Sequence, residues 1–288
     1  MRSIRGIIAL DLDGTLLNSK KELSETNFQA ISRAAEVGFE IVPTTGRFFQ
    51  GMPQSIRKLP FVNYAITING AAVVDLRKDY DIYKAEIPWQ QAVDIMAWLD
   101  TMPVIYDCYM DNGGWMSRHL KEKIDLIVDD SHYRKMLHEL RKPVPELKRF
   151  LLERRTDVQK IQFFTKEPDV RLQVLSQLPE KFQGIVTSSS HIQNVEINQK
   201  FANKGDALMA LADYLGIHKK DTIAFGDGLN DLTMIEQAGV GIAMENGCQE
   251  VKAAAKWVTA SCDMDGVAVG IERYCLGKQW EGHLSAEE

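Results

Sequence analysis

The chain repeats one local pattern: a short apolar run, an abrupt polar end carrying glycine, then a longer amphipathic stretch. Residues 4–10 read as a strand, and residues 23–37 as a helix closed by Gly38. Residues 39–43 and 64–68 give a second and third strand, and Val73-Val74 opens a hairpin. The pattern returns late, with helices over residues 204–215 and 231–238 and short strands at 222–225, 240–243 and 257–258. Strands alternating with helical periods predict an α/β fold with a parallel sheet, because parallel neighbours need a crossover that a helix supplies.

Between about residues 84 and 190 the texture changes. Helical stretches near 90–99 and 133–141 sit among alternating strands such as 104–110 and 158–165, and Asp111-Asn112-Gly113-Gly114 is a hairpin turn signal. This predicts an α+β domain, residues 84–190, inserted into a sheet domain made of residues 1–83 and 191–288, with hinges near 82–85 and 189–192. A length of 288 residues is enough for two modest domains. Residues 277–288 are polar and aperiodic and read as a loose tail.

Composition excludes several partners. The 34 basic and 40 acidic residues leave a net charge of −6, which does not favour a nucleic-acid polyanion as partner. No apolar run approaches the roughly 18 residues of a membrane span, and Asp11 and Asp13 cut short the only N-terminal candidate for a signal peptide. The expectation is a cytoplasmic protein whose Cys108, Cys248, Cys262 and Cys275, lacking CxxC spacing, are reduced. The six histidines show no pair at zinc-ligand spacing. Eight basic residues between Arg134 and Arg155, among them Arg141 and Lys148, read as a solvated helix face, with steering of anionic metabolites as the functional alternative. Glu196 reads as structural.

The informative residues lie where the predicted strands end. Open parallel sheets bind ligands outside the carboxyl ends of their strands. Asp11-Leu12-Asp13-Gly14-Thr15, Thr44-Thr45-Gly46-Arg47, Asn69-Gly70 and Gly226-Asp227-Gly228-Leu229-Asn230-Asp231 follow four different strands, so all four should converge on one crevice. Glycines among them let the backbone approach a ligand, and N–H groups at loop and helix starts suit a phosphate.

DLDGT at 11–15, TTGR at 44–47, NKG at 203–205 and GDGLND at 226–231 together resemble the four motifs of the haloacid dehalogenase superfamily. INGA at 68–71, AGVGIAM at 238–244 and Asp265-Gly266 are similar to its Cof-type sugar-phosphatase branch. The resemblance implies a Rossmann-like core with an inserted C2-type α+β cap. Thr44 stands where alanine is common and Asn246-Gly247 where Asn-Ala is usual. The insert carries no matching pattern, which leaves the substrate open.

By that resemblance Asp11 is a nucleophile that forms an aspartyl phosphate, and Asp13, two residues on along an extended chain, is the general acid and base. Leu12 offers only its N–H. Thr45 and Gly46 would donate to phosphoryl oxygens, Lys204 would balance charge on Asp11, and Asn230 would orient water or a phosphoryl oxygen. Arg47 and Asn69 are placed to meet the leaving group, although Asn-Gly is also a plain turn and arginine a common surface residue. Asp11, Asp13, Asp227 and Asp231 would crowd four negative charges into a crevice that must accept a phosphate dianion. A proton on Asp13, the charge of Lys204 and one Mg2+ would neutralise them, and hard oxygen donors suit that ion. Asp11 and Asp227 are then side-chain ligands, Asp13 a backbone-carbonyl ligand, and Asp231 a direct or indirect one that also positions Lys204. The expected function is a Mg2+-dependent phosphatase of small phosphorylated metabolites such as sugar phosphates. A phosphomutase on the same core and a phosphoaspartate regulator remain alternatives.

Overall fold

In the computed structural model, which describes residues 4–189 and 192–276, the first apolar run is strand β1 (Gly6–Asp11), all six residues buried. A strand with no exposed face belongs in the middle of a sheet covered on both sides. Seven further strands complete this sheet: β2 (Phe39–Thr44), β3 (Tyr64–Thr67), β4 (Ala72–Asp75), β5 (Tyr80–Lys84), β6 (Thr222–Gly226), β7 (Val240–Met244) and β8 (Trp257–Thr259). Their order is β8-β7-β6-β1-β2-β3-β4-β5. From β8 to β3 every pair is parallel, and β4 turns back antiparallel on β3 as the hairpin signal at Val73-Val74 predicts. The chain builds outward from β1 to one side, then returns to build outward from β6 on the other. The order therefore reverses between β1 and β6, which is where a doubly wound sheet opens its ligand crevice.

The local signals explain the helices. Ser24 caps the helix Glu25–Glu36, its Oγ accepting from the Asn27 N–H at 3.1 Å, so the helix starts two residues later than its apolar pattern. The helix Lys204–Leu215 begins after Asn203, whose Oδ1 accepts from the Asp206 N–H at 2.8 Å, and ends at Gly216 with φ 68°.

Two compact units emerge. Among the described residues, the sheet unit holds those from Ile4 to Arg47, Met52–Tyr83 and those from Asn203 to Leu276, and the insert unit holds Phe48–Gly51 and those from Lys84 to Ala202. Inside the insert a six-stranded sheet runs in the order Ile185–Ser188, Asn194–Gln199, Lys160–Phe164, Ile105–Met110, Gly113–Ser117, Arg141–Val144. Asp111 and Asn112, both at φ 52°, make the two-residue loop between Ile105–Met110 and Gly113–Ser117, as a type I′ hairpin requires. One face of this sheet is apolar, with Tyr106, Cys108, Ile161, Phe163, Val195 and Ile197 in the insert's core.

Two features of the insert differ from expectation, and one agrees with it. The stretch just past residue 190, assigned from the sequence to the sheet domain, does not belong with the sheet unit: Asn194–Gln199 pairs antiparallel with both Ile185–Ser188 and Lys160–Phe164, so the second crossing falls after Ala202 rather than at 190. Its alternation of apolar Val195 and Ile197 with polar Asn194, Glu196 and Asn198 matches a sheet with one polar face. Arg141 is not on a solvated helix face; it opens the strand Arg141–Val144, is 1% exposed, and its Nε lies 3.1 Å from Asp107 Oδ2. Gly114 opposite it makes room, since a Cβ there would sit 2.5 Å from Arg141 Cδ. Glu196, read as structural, is buried with Lys160 Nζ at 3.2 Å. The expected tail at 277–288 and part of the hinge at 189–192 lie outside the described residues.

Candidate active site

Asp11 is the last residue of β1, and the chain then folds back on itself, Leu16 N–H donating to the Asp11 carbonyl at 3.1 Å and Leu17 N–H to that of Leu12 at 2.9 Å. Leu12 is fully buried. Gly14 makes this loop possible twice over: its φ is +93°, and a Cβ would lie 2.5 Å from Asp227 Oδ2. The loop after β1 and the loop after β6 thus touch at the switch point. Thr15 Oγ1 donates to Asp227 Oδ1 at 2.7 Å across the same junction.

Lys204, the first residue of its helix and wholly buried, carries the charge that holds the acids together. Its Nζ donates to Asp11 Oδ1 at 2.6 Å and to Asp231 Oδ1 at 2.5 Å. The other oxygen of Asp231 accepts from the N–H groups of Asp227 and Gly228, both at 2.9 Å, so Asp231 anchors the lysine and shapes the Asp227 loop at once. The turn after β3 packs beneath: Gly70, at φ +93°, would place a Cβ 2.1 Å from the Asn203 carbonyl. Asp11, Asp227 and Asp231 bring carboxylate oxygens within 4.8 Å of one another. At an effective dielectric near 20, two such charges 4 Å apart repel by about 4 kcal/mol. Burial raises the Asp11 pKa well above the ordinary carboxylate value, repulsion from Asp231 and Asp227 adds to it, and Lys204 only partly offsets them. Asp227 is also raised, by burial and by Asp231, against the bond from Thr15. Lys204 is pushed upward by its two carboxylates despite its burial.

Asp13 sits in the opposite environment. Arg47 clasps it with a two-pronged fork, Nε to Oδ2 at 2.9 Å and Nη2 to Oδ1 at 2.8 Å, and Lys21 Nζ stands 3.0 Å from Oδ1. Burial works to raise its pKa, but the bonds and charges of Arg47 and Lys21 outweigh it and hold Asp13 below the ordinary value. Two carboxylates two residues apart are therefore pushed in opposite directions. Arg47, expected at the leaving group, is placed on Asp13.

Thr45 is buried at the end of β2, and its Oγ1 accepts from the Arg47 N–H at 3.2 Å, which leaves the hydroxyl proton for another acceptor. Asn69 lies at φ 55° inside a run in which Ile68 (φ 54°) and Gly70 also adopt positive φ. A β-branched residue there is strained backbone, of the kind that gathers at functional sites. That turn is pinned to the second motif, Asn69 N–H donating to the Thr45 carbonyl and Ile68 N–H to the Arg47 carbonyl, both at 3.0 Å. Asn69 Oδ1 accepts from Asn230 Nδ2 at 3.2 Å and faces Gly46, where a Cβ would lie 2.8 Å away. Every candidate site residue named from the sequence thus lies in the sheet unit, at or beside the carboxyl ends of its strands. Sequence reasoning gave no role to Thr15 or Lys21. Thr15 was visible inside DLDGT, whereas Lys21 comes from a turn whose left-handed φ of 64° nothing in the sequence signals.

The donor set suits a divalent metal. Three carboxylates converge against one ammonium, all donors are hard oxygens, and the raised pKa values of Asp11 and Asp227 mark negative charge that a cation would relieve. Among the described residues no other group of three or more acidic, histidine or cysteine side chains converges in this way.

Residues 8–271 match the family model described as haloacid dehalogenase-like hydrolase. Phosphatase YwpJ of Bacillus subtilis is 32% identical over 289 residues, spanning 91% of this chain and 97% of its own. A second relative from that organism, 5-amino-6-(5-phospho-D-ribitylamino)uracil phosphatase YcsE, is 29% identical over 94% of this chain and 96% of its own. Among solved structures, a haloacid dehalogenase-like hydrolase from B. subtilis aligns with a TM-score of 0.79 at 29% identity, covering 93% of this chain and 99% of the other.

Proposed function

The chain belongs to the haloacid dehalogenase-like hydrolases and is a phosphatase of that family, and from that premise we propose that it hydrolyses small phosphorylated metabolites, sugar phosphates among them, with Mg2+ and through an aspartyl phosphate on Asp11. The observation that carries this reading is the pairing of a buried carboxylate at the switch point with Lys204, beside a second carboxylate held in a different electrostatic state. One family of charges steadies the nucleophile and another tunes the acid.

Asp11 attacks phosphorus in line, so the phosphorus–oxygen bond to the alcohol breaks as the new bond to a carboxylate oxygen forms. Lys204 balances charge on Asp11 as that carboxylate engages the phosphoryl group. The N–H groups of Leu12 and Gly46, the hydroxyl of Thr45 and the amide of Asn230 hold phosphoryl oxygens. Asp13 gives a proton to the departing alkoxide and then takes one from the water that attacks the phosphoaspartate, regenerating Asp11. To act first as an acid Asp13 must carry a proton, so Arg47 leaves it for the substrate, which reconciles the fork with the expected role at the leaving group. Asp11, Asp227 and the backbone carbonyl of Asp13 would hold Mg2+, with Asp231 supporting them through Lys204 and the Asp227 loop. When bound, the ion supplies positive charge that lets a phosphate dianion approach these carboxylates.

The insert, residues 84–202, is read as the part that selects the alcohol portion of the substrate. The relative that acts on a phosphorylated ribityl compound supports a polyhydroxylated alcohol. Among the described residues no helix is long and apolar enough to cross a membrane, and the reading includes a cytoplasmic location. A panel of sugar, polyol and aryl phosphates with Mg2+ tests it. Release of inorganic phosphate with turnover is expected; isomerised ester without phosphate release would make the enzyme a mutase, and one-to-one labelling without turnover a regulator.

A further inference from the structure

After β7 the chain turns through Glu245-Asn246-Gly247-Cys248 before the helix Gln249–Ala254. This turn is tied to both loops of the acidic site. The Asn246 side chain spans two of its neighbours: Nδ2 donates to the Gly14 carbonyl at 2.8 Å, and Oδ1 accepts from the Cys262 N–H at 2.8 Å. Cys248 N–H donates to the Asp227 carbonyl at 2.9 Å, and Gly247 N–H closes the turn onto the Met244 carbonyl at 2.9 Å. Gly247 presses on the Asp227 backbone, since a Cβ would stand 3.1 Å from its Cα.

The placement has a mechanical consequence. Gly14 approaches the Asp227 carboxylate from one side and is held by Asn246 from another, while Asp227 is held through its carbonyl by the same turn. Beside the direct bond from Thr15 to the Asp227 carboxylate, the spacing between the Asp13–Thr15 loop and Asp227 is therefore braced by one four-residue turn outside the four motifs. An amide is the side chain the position needs: it donates to a carbonyl and accepts from an N–H at once, which neither a carboxylate nor an aliphatic group does. Its exposure argues against a packing role.

We propose that Asn246 is a positioning residue that sets the spacing of the Asp13 carbonyl and the Asp227 carboxylate for the divalent metal. The inference rests on the reading of the acidic cluster as a metal site. Groups that orient metal ligands from behind typically change metal affinity by about 10- to 100-fold when removed.

The test uses the full chain and Mn2+ as the probe, with the dissociation constant measured directly by electron paramagnetic resonance, alongside Mn2+-activation curves for 4-nitrophenyl phosphate. Asn246→Ala and Asn246→Ser remove the Gly14 bond from an exposed position and leave no buried void. Asn63→Ala, which removes a side-chain bond to Glu40 elsewhere in the same unit, is the control. The expected result is a Mn2+ dissociation constant about 10-fold or more weaker in both Asn246 variants and unchanged in the control, with kcat recovered at saturating metal. Mn2+ affinity within twofold of wild type, even with a lowered melting temperature, would make Asn246 merely structural and overturn the proposal. Absence of Mn2+ binding by the wild-type protein would instead remove the metal-site reading, and this inference with it.

Discussion

Replacing Lys204 by Met keeps the aliphatic stem and deletes the one ammonium that Asp11 and Asp231 share at 2.6 and 2.5 Å. Losing one partner of a buried ion pair costs about 3–5 kcal/mol, and two unpaired carboxylates 4 Å apart repel by about 4 kcal/mol at an effective dielectric near 20, so the two routes agree. The cost should depend on pH. Asp11 already has a folded-state pKa above its unfolded value, and removing Lys204 raises it further. A carboxyl with a raised folded pKa binds more protons in the native state, so stability falls as pH rises from the unfolded value through the folded one. Lys204 itself is raised above its ordinary value and stays charged throughout a range of pH 5 to 8. Urea denaturation in EDTA should therefore show Lys204→Met less stable than wild type by about 4 kcal/mol at pH 8 and by about 2 kcal/mol or less at pH 5, where a shared proton replaces the missing charge. A difference below about 1 kcal/mol at pH 8, or one that does not change with pH, would refute the argument that Lys204 is the counter-charge of a crowded acidic cluster.

Chelation by EDTA should abolish turnover and Mg2+ should restore it, whereas Ca2+, with its larger and looser shell, should inhibit by engaging Asp11 through both oxygens; phosphate release in metal-exchanged protein measures both. In the insert, Arg141→Met alone should cost about 3–5 kcal/mol because it strands buried Asp107, while Arg141→Met with Asp107→Leu should come close to wild type in urea melts.

The sequence predicts the sheet unit well because its signals are local. Apolar runs ending abruptly in Asp-x-Asp-Gly or Thr-Gly-Arg mark both the strand and the end that carries the candidate site, and Asn203, Gly216 and Ser24 cap helices by chemistry visible one residue at a time. What was missed depends on pairing at a distance. The strand Asn194–Gln199 carries the same alternation wherever it pairs, and only its partners at Ile185–Ser188 and Lys160–Phe164 assign it to the insert. Arg141 reads as a surface residue until Asp107, 34 positions earlier, supplies its counter-charge and Gly114 its space. Lys21 and Arg47 converge on Asp13 through a left-handed turn and a strand end that no periodicity connects.

The division of labour between Asp11 and Asp13 is tested most directly by rapid-quench labelling of Asp11→Asn and Asp13→Asn with a 32P-labelled aryl phosphate, whose leaving group needs no proton. Asp11→Asn lacks the nucleophile and should take up no label. Asp13→Asn should form the phosphoaspartate but, without its base, hydrolyse it about 10²- to 10⁴-fold more slowly, so that label accumulates and is trapped by acid or hydroxylamine. Label on Asp11→Asn, or undiminished steady turnover by Asp13→Asn, would contradict the assignment of nucleophile and general acid and base.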